Sequence, residues 1–127
     1  MNKSNNITIS IVTYFSDHLI FKRLDKLKKF KSIIVENSLK KELKTALENK
    51  YRLTKVILPN KNMGYGGGNN LAINKIKTKY CLILNPDAYL EEKDLKNLLK
   101  YISELPEFGI LFPRANNIVS KNYFKKL

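Results

Sequence analysis

Apolar and polar residues follow one another in blocks that predict five strands separated by four helices. The strand-like blocks are short apolar runs, and the first opens with a period-two alternation; they fall at residues 7–14, 32–35, 54–58, 80–84 and 108–112. Between them, apolar residues recur at helical spacing, at about residues 17–30, 39–50, 71–76 and 91–105. This regular alternation predicts an α/β fold, a Rossmann-like and mostly parallel sheet with helices on both faces.

The predicted topology brings separate loops to one end of the sheet. Right-handed crossovers restrict the strand order, and the order 3-2-1-4 makes the first and fourth strands neighbours. Thr13 and Tyr14 then meet Asp87 at the point where the strand order reverses, and Glu36 stands one strand away. Ligands of open α/β sheets bind at this position, beyond the carboxyl ends of the strands.

The stretch 80–87, Tyr-Cys-Leu-Ile-Leu-Asn-Pro-Asp, is an apolar run that ends in a polar turn with a carboxylate. Five apolar residues without alternation predict a strand covered on both faces, so we expect Cys81 to be a small buried residue of the core. Pro86 cannot donate to a sheet ladder and should end the strand. Asp87 then lies just beyond the strand, although Asn-Pro-Asp is also ordinary turn chemistry.

Four of the five glycines lie in residues 62–70, Asn-Met-Gly-Tyr-Gly-Gly-Gly-Asn-Asn, ahead of the third helix. The segment is neither a Walker A motif nor a dinucleotide fingerprint, because the residues that those patterns require are absent. Glycines let a backbone approach a ligand closely, and a helix start offers free N–H groups to an anion. The alternatives are a flexible turn or close packing of the loop against the sheet.

Carboxylates at this end of the sheet suggest two further roles. Asp87 beside a phosphate-binding segment suggests a divalent cation such as Mg²⁺, which takes one or two carboxylates and completes its shell with phosphate oxygens and water. Glu36, at the end of the second strand, could accept a hydrogen bond from a nucleobase or a ribose hydroxyl. Taken by itself, Glu36 is better explained as a solvated loop residue.

The chain of 127 residues has a net charge of +13 and predicts one domain. We place its core at about residues 7–113 and a basic tail at 114–127. The lysines are spread along most segments, which leaves three explanations open: a lysine-rich coding bias, adhesion to an anionic membrane surface, or nucleic acid binding, for which no aromatic-interleaved basic motif is present.

No apolar run is long enough for a membrane span, and no signal core opens the chain. We therefore expect a cytoplasmic location, with peripheral contact at the inner face of the plasma membrane as an extension of it.

The motifs together resemble the amino-terminal half of family 2 glycosyltransferases of the GT-A fold, in particular a bacterial rhamnosyltransferase-like branch. The likeness runs from about residue 7 to residue 113 and depends on the order and spacing of the matching segments, which are 11–14 (Ile-Val-Thr-Tyr), 35–38 (Val-Glu-Asn-Ser), 62–70, 84–87 (Leu-Asn-Pro-Asp) and 108–113 (Phe-Gly-Ile-Leu-Phe-Pro).

The resemblance implies a site for a nucleotide-sugar donor, with UDP or dTDP as the nucleotide. Thr13 and Tyr14 would line the nucleoside pocket. Glu36 stands where the family usually has Asp, the residue that holds the base, and the extra methylene affects that contact.

The resemblance also assigns the diphosphate end of the donor site. Asn62, Gly64 and Asn69 match the segment that flanks the nucleotide. Asn85 and Asp87 stand at the Asp-x-Asp motif of the family, which makes Asp87 the ligand of Mg²⁺ or Mn²⁺ bridging the diphosphate. Because Asn85 is not acidic, this metal site rests on one carboxylate.

The reaction implied is transfer of a sugar from an NDP-sugar to a glycan or lipid-linked acceptor with inversion, in surface polysaccharide synthesis. In the family, the catalytic base and the acceptor pocket come from the carboxyl-terminal half, and no candidate base is found in this chain. We therefore expect a truncated or split enzyme that needs its missing half or a partner subunit. The alternative is a non-catalytic remnant or binding module that docks on an anionic membrane or glycolipid through its basic surface.

Overall fold

The computed structural model of the chain describes residues 3–113, so the predicted basic tail 114–127 lies outside the described residues. After a short 3-10 helix at Lys3–Asn6, strands and helices alternate as predicted. Their bounds are β1 (Ile7–Thr13), α1 (Asp17–Leu27), β2 (Lys31–Glu36), α2 (Lys41–Lys50), β3 (Thr54–Ile57), α3 (Gly64–Ile73), β4 (Tyr80–Ile83) and α4 (Glu92–Glu104).

The four strands form one parallel sheet in the order β3-β2-β1-β4, which confirms the predicted topology. The register pairs Thr13 of β1 with Glu36 of β2, and Ser10 of β1 with Ile83 of β4. The carboxyl ends of β1, β2 and β4 are therefore neighbours. We refer to this side of the sheet as its carboxyl end and to the opposite side as its amino end.

Helices cover both faces of the sheet, as predicted, but unequally. Three helices, α1, α2 and α4, pack on one face around a large core that includes Ile9, Ile11 and Ile34. Among the helices of residues 3–113, only α3 covers the other face, where Ala72 packs against Val12 and Val35. The division follows from the strand sequences, because alternate residues of a strand point to opposite faces.

The strand at one border of the sheet, β3, is closed by side chains of α2. The backbone N–H of Val56 donates to the Glu48 carboxylate at 2.8 Å, and the Val56 carbonyl accepts from the Lys44 ammonium at 2.6 Å. Glu48 and Lys44 also form an ion pair at 3.0 Å. Covering the backbone groups of a border strand in this way prevents unwanted pairing.

The strand at the other border, β4, differs from the prediction. It was expected to be covered on both faces, but its residues alternate between half-buried and exposed, and Ile83 is 47% exposed. Cys81 is exposed as well, so the prediction of a buried core cysteine is wrong. The reason is positional: α3 makes its main contacts with β1 and β2, and the face of β4 that carries Cys81 and Ile83 stays exposed.

Two further predictions are corrected. The third helix begins at Gly64, so the glycines form its first turns instead of a loop before it, and Ile76 lies beyond its end. Residues 108–112 were expected to form a fifth strand but form no regular element, although the Phe108 ring stacks on Tyr80 with centroids 5.9 Å apart. In the described part of the chain, no helix is both long and apolar enough to cross a membrane.

Candidate functional site

The carboxyl ends of β1 and β2 bring the first predicted site residues together. Thr13 is fully buried, and its hydroxyl donates a long hydrogen bond of 3.5 Å to the Val35 carbonyl. Tyr14, the next residue, is 56% exposed and packs edge-to-face against Phe15. Only Tyr14 of this pair therefore offers its side chain to a ligand, whereas Thr13 shapes the strand end beneath it.

The Glu36 side chain is fully buried and is bonded to its own loop. One carboxylate oxygen accepts hydrogen bonds from the backbone N–H of Ser38, at 3.0 Å, and from the Ser38 hydroxyl. The other accepts from the backbone N–H of Lys40 at 2.7 Å. The carboxylate thus holds the segment between β2 and α2 in shape, because it accepts from the Ser38 hydroxyl and from two backbone N–H groups of that segment.

The residue after Glu36, Asn37, joins this loop to the glycine-rich segment. Its side-chain amide donates to the Gly64 carbonyl at 3.0 Å and accepts from the Met63 N–H at 3.1 Å. Its own backbone N–H donates to the Thr13 carbonyl at 2.8 Å. Asn37 is 3% exposed and so links three segments from within the fold. The sequence reading did not single out this residue.

The start of α3 lies at the carboxyl end of the sheet. Gly64 has a positive φ of 68°, a conformation that glycine adopts without strain, and its N–H donates to the Asn62 side chain at 2.9 Å. Both Asn62 and Gly64 are exposed. The first N–H groups of a helix have no partner within it and attract anions, so this end of α3 offers an anion-binding position.

Farther along α3, Gly68 and Asn69 serve the packing of the helix on the sheet. A Cβ at Gly68 would lie 2.9 Å from a methyl group of Val12, so only glycine allows this approach. Asn69 is 4% exposed; its amide accepts from the Ser10 hydroxyl at 2.8 Å and donates to the Tyr65 carbonyl at 3.1 Å. The side chain predicted to flank a nucleotide is therefore engaged inside the fold.

The turn after β4 presents its two predicted residues to solvent. Asn85 and Asp87 are both exposed, and the turn is closed by a hydrogen bond from Ala88 N–H to the Asn85 carbonyl. The following segment is held by Arg23 of α1, whose buried guanidinium donates to the Leu90 carbonyl at 3.2 Å. Asp87 shares the carboxyl end of the sheet with Tyr14 and Gly64, but among residues 3–113 no hydrogen bond or ion pair joins it to either of them.

The oxygen atoms of this turn could hold a divalent cation only together with oxygen atoms from a bound phosphate compound. Among the described residues, no three carboxylates, histidines or cysteines gather into a metal site. What the turn offers is the Asp87 carboxylate and the amide oxygen of Asn85, two accessible oxygen donors. Mg²⁺ is commonly held by one or two carboxylates together with substrate phosphates and water, so these residues fit a cation that arrives with a diphosphate.

Comparison with known proteins decides the family. The sequence model described as Glycosyl transferase family 2 matches residues 8–126, nearly the whole chain. The chain belongs to glycosyl transferase family 2. This confirms the family expected from the motifs, and the parallel sheet with its flanking helices is consistent with the GT-A type of that family.

This family 2 chain is also similar to a curated protein. It is 28% identical over 120 residues to the low-salt glycan biosynthesis hexosyltransferase Agl10 of Haloferax volcanii. The match covers 89% of this chain but 38% of that relative, so the chain spans well under half the length of the protein it matches. No solved structure matches the chain.

Proposed function

We propose that this chain provides the donor-binding part of a glycosyltransferase that uses a nucleoside diphosphate sugar. The observation that carries the proposal is the convergence, at the carboxyl end of one parallel sheet, of an exposed aromatic side chain (Tyr14), an exposed glycine-rich helix start (Gly64) and a turn with an exposed carboxylate (Asp87). These features match, in order, a nucleoside, a phosphate group and a cation.

Within this proposal the buried residues position the exposed ones. Glu36 and Asn37 fix the loop after β2 and the start of α3 through backbone hydrogen bonds. The nucleoside lies against Tyr14, and the diphosphate faces the first turn of α3. Because Glu36 is bonded to its own loop, we infer that it acts on the base through the shape of that loop.

Asp87, with Asn85, would hold Mg²⁺ or Mn²⁺ at the diphosphate. Such a cation neutralises negative charge on the departing diphosphate. The sugar passes to a hydroxyl of a glycan or lipid-linked acceptor, with inversion at the anomeric carbon, and a carboxylate outside the described residues takes the hydroxyl proton. We propose UDP or dTDP as the nucleotide of the donor. We also propose that the transfer is a step of surface polysaccharide synthesis, as in bacterial rhamnosyltransferase-like enzymes.

Because the chain spans 38% of its relative, we propose that the acceptor pocket and the base are supplied by further sequence or by a partner subunit. The donor part can be tested without either of them, since binding of the nucleotide and the cation needs only the residues named above.

The test is isothermal titration calorimetry of UDP and of dTDP, with and without Mn²⁺. We expect binding that depends on Mn²⁺ and is lost in Asp87→Ala. The matched control is Glu107→Ala, which removes an exposed carboxylate from the segment after α4 and should leave binding unchanged. Absence of nucleotide binding in the presence of Mn²⁺ would end the proposal, and binding that survives Asp87→Ala would remove Asp87 from it.

A further inference from the structure

Two adjoining grooves lie at the amino end of the sheet, opposite the candidate donor site. They have volumes of about 310 Å³ and 420 Å³ and share Arg52 and Leu53, just before β3. The larger groove continues along the end of α1 to Glu92. The smaller groove runs under the start of β2 to the segment that follows α3.

The smaller groove is lined by five cationic side chains and by no carboxylate, and we call these five residues the basic face; they are Lys31, Arg52, Lys55, Lys75 and Lys77. All five are exposed, and none of them forms an ion pair within the described part of the chain. In the larger groove, by contrast, Lys29 and Lys96 both pair with Glu92.

The basic face is a product of the fold. Its residues come from three separate segments, one at the start of β2, one around the start of β3 and one after α3, that meet only in the folded chain. Lysines next to helix carboxyl ends are common because they offset the helix dipole, and Lys75 and Lys77 fit that explanation. Arg52 follows the carboxyl end of α2 in the same way, whereas Lys31 and Lys55 lie within the first residues of β2 and β3.

The chemistry of the basic face suits a fluid anionic surface. Four of its five cations are lysines, which act as mobile point charges instead of fixed hydrogen-bonding forks. Leu53, which lies between the two grooves and is 38% exposed, adds an apolar contact. No exposed aromatic ring lines either groove, since Phe30 is 1% exposed, so a stacking platform for single-stranded nucleic acid is missing.

We propose that the basic face docks the chain on a membrane surface that carries anionic phospholipid headgroups. Clusters of four to eight lysines and arginines beside a membrane helix or on an amphipathic helix bind anionic lipid, and the fold brings together a cluster of that size from separate segments. Docking through the amino end of the sheet leaves the carboxyl end, with Tyr14 and Asp87, directed away from the bilayer. This inference goes beyond donor binding and does not depend on it.

The experiment is flotation of the full chain with vesicles of phosphatidylcholine, with or without phosphatidylserine, across a salt series. We expect binding that requires phosphatidylserine and weakens as salt rises. The variant Lys55→Gln/Lys75→Gln/Lys77→Gln removes three charges from the basic face and should lower vesicle affinity on the order of 100-fold, at roughly fivefold for each charge. Its nucleotide binding with Mn²⁺ should equal that of the unmodified chain, which separates this proposal from the preceding one.

The matched control is Lys22→Gln/Lys41→Gln/Lys61→Gln, which makes the same change in net charge at exposed lysines that line neither groove. It should lower vesicle affinity by no more than a few fold. Equal losses in the two triple variants would overturn the proposal, as would binding to phosphatidylcholine alone. Tighter binding of an oligouridine than of vesicles, lost in the first variant only, would assign the face to RNA and overturn it too.

Discussion

The side-chain amide of Asn37 donates a hydrogen bond to the carbonyl oxygen of Gly64 and thereby ties the end of β2 to the start of α3. Asparagine suits this position because the same amide also accepts from the Met63 N–H. Two loops that would otherwise move independently are therefore fixed relative to each other, and both belong to the candidate donor site.

Asn37→Asp tests this link. The carboxylate can still accept from Met63 but cannot donate to the Gly64 carbonyl, so that bond is lost and a charged group takes the place of the amide at a buried position. We expect a loss of about 1–3 kcal/mol in the free energy of unfolding and weaker binding of UDP with Mn²⁺. Urea denaturation and calorimetry measure the two effects. Asn97→Asp, at an exposed position of α4, makes the same charge change and should alter neither; equal effects in both variants would contradict the prediction.

Gly68→Ala should destabilise the chain, because the added methyl group would lie 2.9 Å from Val12. Overpacking of this kind costs about 1–3 kcal/mol. The double variant Gly68→Ala/Val12→Ala makes room for the new methyl group and should lose less than the sum of the two single variants. Thermal and urea denaturation measure these differences, and strict additivity would show that the contact is not the cause.

Gly66→Ala is the matched substitution in the same helix turn, where an added Cβ meets nothing within 4 Å. Alanine is a better helix former than glycine by up to about 1 kcal/mol, so this variant should be as stable as the unmodified chain or more so. A drop in UDP affinity without a drop in stability would indicate that the nucleotide approaches the backbone here. A marked loss of stability would contradict the packing described for α3.

The lowered pKa of Glu48 leads us to expect that the stability of the folded chain depends on pH in a defined way. The hydrogen bond from the Val56 backbone N–H, together with Lys44, lowers the pKa of Glu48 below its usual value near 4.5. A carboxyl whose pKa is lower in the folded state contributes stability above its unfolded pKa. That contribution is present above about pH 4.5 and is lost as the pH falls through the depressed folded value.

Urea denaturation of the unmodified chain and of Glu48→Gln at pH 7 and at pH 3.5 checks this sign. We expect the variant to be less stable at pH 7 and the difference between the two proteins to shrink at pH 3.5. Glu42→Gln, at an exposed position of the same helix, should not show this convergence. A constant difference at both pH values would show that Glu48 does not act through its charge.

The exposed thiol of Cys81 provides a chemical test of the β4 border. Partial burial raises the pKa of Cys81, so less thiolate is present at neutral pH and its reaction is slow. We expect the folded chain to react with one equivalent of Ellman's reagent without denaturant, at a rate that rises with pH. Protection until denaturant is added would show that the thiol is covered, contrary to the exposure described.

Much of the fold follows from the sequence because its elements are locally encoded. The alternation of strand and helix patterns predicted the parallel sheet, and right-handed crossovers restricted its topology. The order 3-2-1-4 that was expected from them is the order observed, and it places Tyr14 and Asp87 at the same end of the sheet. At the start of α4, Glu91 and Asp94 form a capping box.

The predictions that failed concern tertiary surroundings. An apolar run such as residues 80–84 indicates a strand, but it does not show whether a helix covers each face, and Cys81 proved exposed. The glycine-rich segment was predicted to be a loop because glycine is a poor helix former. The bonds from Asn37 and the close contact with Val12 hold it as a helix nonetheless.

The roles of Glu36 and Asn69 in binding stay predictions, and the structure explains why the sequence alone could not assign them. A polar side chain at the end of a strand or in a glycine-rich segment can face a ligand or the fold itself. Here Glu36 and Asn69 both face the fold, and their hydrogen bonds to Lys40 and Ser10 were not visible in the spacing of residues.

Because Glu48 and Lys44 cover the edge of β3, a further strand can be added to the sheet more easily beside β4. A strand supplied from elsewhere would have to displace an ion pair to join at β3, whereas β4 is paired on one side only within residues 3–113. Extension of the sheet, by later sequence or by a second polypeptide, is thus directed to the border beside Asp87, where an added strand would form a new wall of the candidate donor site.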